Sequence, residues 1–142
     1  MPIFTSDMSQ AEALRALGIK KFVGCTYYRD QKMNDIFTRY FTDAGFEVLG
    51  MEGMDTSPDE ADKISTETIY QHLKASFNKF PTARGIYLLG SGAWGVKDII
   101  AAENDLGVPV VHPVAARVWY VQKLLRVKNA LKGASRLLEE LP

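Results

Sequence analysis

Two hydrophobic periods alternate along this chain. Met33, Ile36, Phe37, Tyr40, Phe41 and Ala44 recur every three to four positions and stop at Gly45, which predicts a helix with one apolar face and a glycine at its end. A shorter helix over 9–17 precedes it, closed by Gly18. Ser65 is a natural N-cap for a third, with Ile69, Leu73, Ser76 and Phe77 on one face and a stop before Pro81. Val96, Ile99, Ile100 and Leu106 mark a fourth ended by Gly107, and helical stretches over 115–126 and, more loosely, 130–141 complete the set. Between them lie continuous apolar runs: 21–26 (KFVGCT), 46–51 (FEVLGM), 86–89 (IYLL) and 108–111 (VPVV). These read as strands, and the segment 55–63, rich in Asp, Ser and Pro, as a polar loop.

Strands separated by helices of about ten residues or more need crossover connections, so the sheet is expected to be parallel with both faces covered. The runs agree, because a strand buried on both sides has no reason to alternate. The expected fold is therefore α/β: a three-layer sandwich around a four-stranded, mostly parallel sheet of flavodoxin or Rossmann type. Ligands of such sheets lie beyond the carboxyl ends of the strands. That rule nominates 25–34, 51–55, 90–95 and 112–114.

Composition narrows the field. Residues 1–142 show no repeats or linkers and suit a single domain. Seventeen Lys and Arg balance seventeen Asp and Glu, so no overall positive field would attract nucleic acid. No apolar run approaches the ~20 residues of a membrane helix, and the first residues lack a basic segment followed by an apolar one. The single cysteine, Cys25, rules out an internal disulfide and fits a cytoplasmic location.

The run Ile86-Tyr87-Leu88-Leu89 leads into Gly90-Ser91-Gly92-Ala93-Trp94-Gly95, a match to the G-x-G-x-x-G pattern of dinucleotide-binding turns. That pattern normally follows the first strand and is answered about twenty residues on by an acid that binds ribose. Here it follows the third strand, and the next one ends in His112-Pro113. A small-anion pocket is the competing reading: the Ser91 hydroxyl and free N–H groups at a helix start suit a carboxylate as well as a phosphate.

Glu12-Ala13-Leu14-Arg15-Ala16-Leu17-Gly18, then Thr26-Tyr27-Tyr28 with Asn34, then Ala44-Gly45-Phe46-Glu47-Val48 resemble the "EALRALG", Thr-Pro-Tyr turn with a following Asn, and "AGFEV" of the aspartate/glutamate racemase superfamily. Asp98-Ile99-Ile100, residues 105–111 and Trp119 extend the likeness, specifically to the carboxyl-terminal half of its maleate isomerase and arylmalonate decarboxylase branch. The resemblance implies a pseudo-symmetric enzyme of two α/β halves that grips a small carboxylic acid between them and transfers a proton at carbon. It implies neither metal nor organic cofactor, and one catalytic position, often cysteine, from each half. In this chain the cysteine of the second half is replaced by Gly90 and the threonine after it by Ser91. The other half has no counterpart, so the chain is expected either to pair as a homodimer or to work with a missing amino-terminal half. One-thiol decarboxylation suits this pattern better than two-thiol racemisation.

The resemblance places substrate-binding roles on Thr26, Tyr28, Asn34, Gly90, Ser91 and Gly92. No catalytic residue is assigned; Cys25, the only thiol, and His112, at the end of the fourth strand, are candidates, each with a structural alternative as a packed cysteine or a turn anchor. His72 is expected to be a solvated residue of the third helix. Trp94, Trp119, Tyr120, Leu137, Leu138 and Leu141 are expected to form an apolar surface that a partner half would cover. A carboxylate-binding module without turnover, and less favourably a Rossmann dinucleotide unit, stand as alternatives to the enzyme.

Overall fold

A computed structural model of the chain describes residues 3–90 and 96–142, the side chains of 96–98 excepted. The elements run α1 (Ser6–Ala16), β1 (Lys21–Tyr28), α2 (Gln31–Asp43), β2 (Glu47–Thr56), a 3-10 helix (Pro58–Lys63), α3 (Thr66–Lys79), β3 (Ile86–Leu88), α4 (Val96–Leu106), β4 (Val110–Val111), α5 (Pro113–Leu125) and α6 (Arg136–Glu140). The four strands form one sheet in the order β2-β1-β3-β4, every pairing parallel. The expected α/β architecture is thus the observed one.

The helix ends follow their local chemistry. Thr5, Asp30 and Ser65 each accept from a backbone N–H of the first turn of α1, α2 and α3, satisfying donors that the helix itself leaves open. Gly45 closes α2 at φ 92°, a conformation that costs a side-chain-bearing residue and costs glycine little. The last expected helix is shorter than its apolar pattern suggested. Gly133 turns at φ 72° and Leu131 N–H donates to Leu138 O, so residues 130–135 loop back and only Arg136–Glu140 is helical.

The sheet separates two cores of different character. On one face Phe22, Phe41, Phe46 and Tyr87 pack with Trp119, Leu137 and Leu138 beneath α1, α2, α5 and α6. The rings meet edge-on or tilted, Phe22 to Phe41 at 5.2 Å and Phe41 to Tyr87 at 4.6 Å. On the other, Val23, Ile86, Leu88 and Val110 meet Ile69 and Leu73 of α3 and Ile99 of α4. The expectation that Trp119, Leu137 and Leu138 await a partner is overturned: they are 2%, 1% and 6% exposed within this chain, and Tyr120 and Leu141 pack against the same core. Trp94 lies outside the described residues.

Buried Glu103 fastens the carboxyl-terminal segment. Its two carboxylate oxygens accept from Val110 N–H at 2.9 Å and Arg136 N–H at 2.8 Å, tying α4 to β4 and to the start of α6. Replacement by glutamine leaves one acceptor for two donors and turns an NH2 group toward the other N–H. Glu103→Gln is therefore expected to lower unfolding free energy by about 1–3 kcal/mol, read by urea titration. An unchanged midpoint would show that the clasp carries no stability.

Candidate functional site

The strand order reverses between β1 and β3, since the chain leaves β1 for β2 on one side and then crosses to β3 on the other. In parallel sheets, ligands lie beyond the carboxyl ends of the two strands that flank such a reversal. Cys25 pairs with Leu88 across them, and Leu89 N–H donates to Cys25 O at 2.8 Å, so Gly90 lies level with the end of β1. Thr26, Tyr28, Asn34 and Gly90 therefore lie along one end of the sheet. Ser91 and Gly92 lie outside the described residues.

Thr26 and Asn34 hold the rim. Thr26 is wholly buried and its hydroxyl donates to Asn34 Oδ1 at 2.5 Å; Asn34, 2% exposed, donates in turn from Nδ2 to Tyr28 O at 3.1 Å. The two side chains are engaged with each other and with the backbone of the turn. Their described geometry is that of a brace which fixes where Tyr28 stands. Tyr28 itself is half-buried, stacked on Phe37 of α2 at 5.9 Å, with its hydroxyl 3.3 Å from that of Tyr27. Burial first, then the bond to Tyr28, pushes the Tyr27 phenol up to about 12. Arg29 follows, exposed and ion-paired with Asp55, and a groove of about 280 Å³ beside Tyr28 is lined by Arg29, Asp30, Thr56, Ser57 and Pro58.

Two supporting residues carry no mark in the sequence pattern. Gly53 of β2 faces the turn so closely that a Cβ there would lie 2.1 Å from Tyr28 O and 2.7 Å from Asn34 Nδ2. Gln10 of α1 is fully buried and donates from Nε2 to Leu88 O at 3.2 Å and Val111 O at 3.3 Å, clamping the carboxyl ends of β3 and β4. Nothing in the sequence sets Gln10 apart from the other polar residues of α1, Ser6, Asp7, Ser9, Glu12 and Arg15.

The two catalytic candidates sit elsewhere. Cys25 points into the aliphatic core, wholly buried, and burial pushes its thiol up to about 12, with a Ser76 hydrogen bond opposing and the Glu52 charge adding. A thiol in that environment stays protonated and is no nucleophile. His112 is 1% exposed and caps α5, its Nδ1 accepting from Val114 N–H at 3.3 Å, which is the turn-anchoring role. His72 is not a solvated residue: it is half-buried against β2, its ring nitrogen 3.0 Å from Glu52 O, and burial lowers its pKa despite that bond. Among the described residues no cluster of His, Cys, Asp and Glu could hold a metal, and no helix is long and apolar enough to cross a membrane. Among the described residues the rim thus offers the phenol hydroxyls of Tyr27 and Tyr28.

Comparison with known proteins bears on the family and the fold. The sequence profile of arylmalonate decarboxylase matches residues 1–138. A solved mutant of arylmalonate decarboxylase in its sulfate-associated form is 26% identical with a TM-score of 0.88, the match covering 98% of this chain and 60% of that one. A second crystal structure of arylmalonate decarboxylase gives 25% and 0.87, over 96% and 60%. In fold, the maleate isomerase Iso from Pseudomonas putida S16 superposes at a TM-score of 0.88 with 19% identity, over 99% and 56%. No curated protein sequence matches the chain. It spans about 60% of the length of the decarboxylase structures it resembles. The resemblance first read from Glu12–Gly18, the Tyr28 turn and residues 105–111 therefore rests on nearly the whole sequence and on the fold, and the chain belongs to the arylmalonate decarboxylase family.

Proposed function

We propose that this chain is one α/β half of a two-half, cofactor-independent enzyme that grips a small carboxylic acid and transfers a proton at carbon, as a decarboxylase, isomerase or racemase. The observation that carries the reading is the braced rim at the reversal of strand order, with Thr26 and Asn34 holding Tyr28 opposite Gly90, in a chain matched to the decarboxylase profile over residues 1–138. Tyr28 is assigned to donate to the carboxylate, and Gly90, Ser91 and Gly92 to bind it, the roles the family resemblance gives these positions.

The cysteine count constrains how the site is completed. The family thiol position is Gly90 here, and the only cysteine is in the core. Two copies of this chain would bring no reactive thiol, so one-thiol decarboxylation needs a different, amino-terminal half that carries it. A homodimer is the natural state of a carboxylate-binding module without turnover. Val118, Val121 and Leu125 favour pairing in either form, forming an exposed stripe at helical spacing on α5. The buried single thiol suits a reducing compartment, and the reading assigns the protein to the cytoplasm.

A thermal-shift series tests the site directly. Phenylmalonate, maleate or aspartate at ten times its dissociation constant is expected to raise the melting temperature by a few degrees, while NAD leaves it unchanged. Stabilisation by NAD alone would replace this reading with the dinucleotide one.

A further inference from the structure

Consecutive residues of a strand point to opposite faces, and Tyr27 and Tyr28 begin that way. Tyr27 packs with the aliphatic core, whereas Tyr28 stacks on Phe37 of the other layer. Their rings nevertheless come to 4.5 Å at 33°, with the hydroxyls 3.3 Å apart and Tyr27 donating. The cause lies in the pairing of β1 with β2. Thr26 faces Gly53, but Tyr28 faces Thr56, so the partner strand advances one residue further over this interval. Such irregularities bend a strand and re-aim its side chains. Gly53 and the Asn34 amide then hold the Tyr28 carbonyl where the shift leaves it.

A phenol has one proton and can also accept. With the Tyr27 proton directed onto Tyr28 Oη, the Tyr28 proton is turned away from Tyr27. A hydroxyl that accepts one hydrogen bond is also polarised toward donating another. We infer that Tyr27 is a positioning residue of the carboxylate site: by donating to Tyr28 Oη it orients the Tyr28 hydroxyl as a directed donor to one oxygen of a small carboxylate beyond the carboxyl end of β1. This rests on the proposed carboxylate-binding function and adds a residue to it.

The experiment uses the full chain with its six tyrosines labelled at the ring Cζ carbon, as wild type, Tyr27→Phe, and Tyr70→Phe as a surface control whose phenol bonds Asp105. Phenylmalonate is the titrant. Tyr27→Phe is expected to move the Tyr28 resonance before any ligand is added, to weaken phenylmalonate binding roughly fivefold, and to leave the fold intact by circular dichroism. Tyr70→Phe should do neither of the first two. A Tyr28 resonance indifferent to Tyr27→Phe would show that the hydroxyls are not coupled and would overturn the inference. Equal phenylmalonate affinity in wild type and Tyr27→Phe overturns it as well, while leaving the carboxylate site standing. No response of wild-type Tyr28 to phenylmalonate overturns the underlying function, even where the free-state coupling is seen.

Discussion

Gly53→Ala is expected to destabilise the protein by roughly 3 kcal/mol and to abolish carboxylate-induced stabilisation. The sign is the informative part. Gly53 lies inside β2 and does not adopt positive φ, so intrinsic preference alone would make alanine better there by about 0.5–1 kcal/mol. Against this, the new methyl would stand 2.1 Å from the Tyr28 carbonyl oxygen and 2.7 Å from the Asn34 amide. Neither is a free rotor: one is backbone, and the other is held by Thr26 and by that same backbone. Relief must come from separating β1 and β2 at the register shift, which breaks the brace and displaces Tyr28. Gly24 offers a contrast, because a Cβ there meets the flexible end of Met51. Gly24→Ala should accordingly keep the ligand response. Urea unfolding with and without phenylmalonate measures both effects, and a stabilised Gly53→Ala protein that still binds would dismiss the brace.

Stability is also expected to fall steeply between about pH 9 and pH 12, by roughly 4 kcal/mol from Cys25 alone. The thiol has an ordinary value of 9.0 and is held to about 12 in the folded chain, chiefly by burial. A neutral acid whose folded pKa lies above its unfolded one contributes fully below the unfolded value. That contribution is lost as pH climbs through the folded one, because the unfolded chain releases the proton first. The phenols of Tyr27 and Tyr87, both raised mainly by burial, act in the same direction. Urea midpoints across this range should decline, and less steeply in Cys25→Ala. At pH 8 a thiol reagent should label Cys25 only as fast as the chain unfolds. Labelling at the rate of an exposed thiol would place Cys25 at the surface and reopen it as a nucleophile.

Much of the framework could be read from local chemistry. Ser65, Gly45 and Gly107 bound helices because capping and left-handed turns are satisfied within a few residues, and the uninterrupted runs at 21–26 and 86–89 announce strands covered on both faces. Once the strands are parallel, their carboxyl ends nominate four stretches, the Tyr28 turn among them; the order that places the reversal between β1 and β3 is seen only in the structure. What stayed hidden depends on partners distant in sequence. The same uninterrupted burial that marks β1 conceals which way Cys25 points, because no alternation distinguishes the faces. Gly53 looks like any strand glycine until Tyr28 is placed beside it, and the meeting of Tyr27 with Tyr28 requires a shift set jointly by two strands. His72 was misread because its polarity suits water, whereas the Glu52 carbonyl gives it a partner under cover.

The unequal make-up of the two cores has a practical use. Near-ultraviolet dichroism from buried rings reports mainly on the layer of Phe22, Phe41, Tyr87 and Trp119, while methyl resonances of Ile69, Ile86 and Ile99 report on the opposite layer. One sheet thus carries two spectroscopic channels, and a single denaturation run can ask whether both sides melt together.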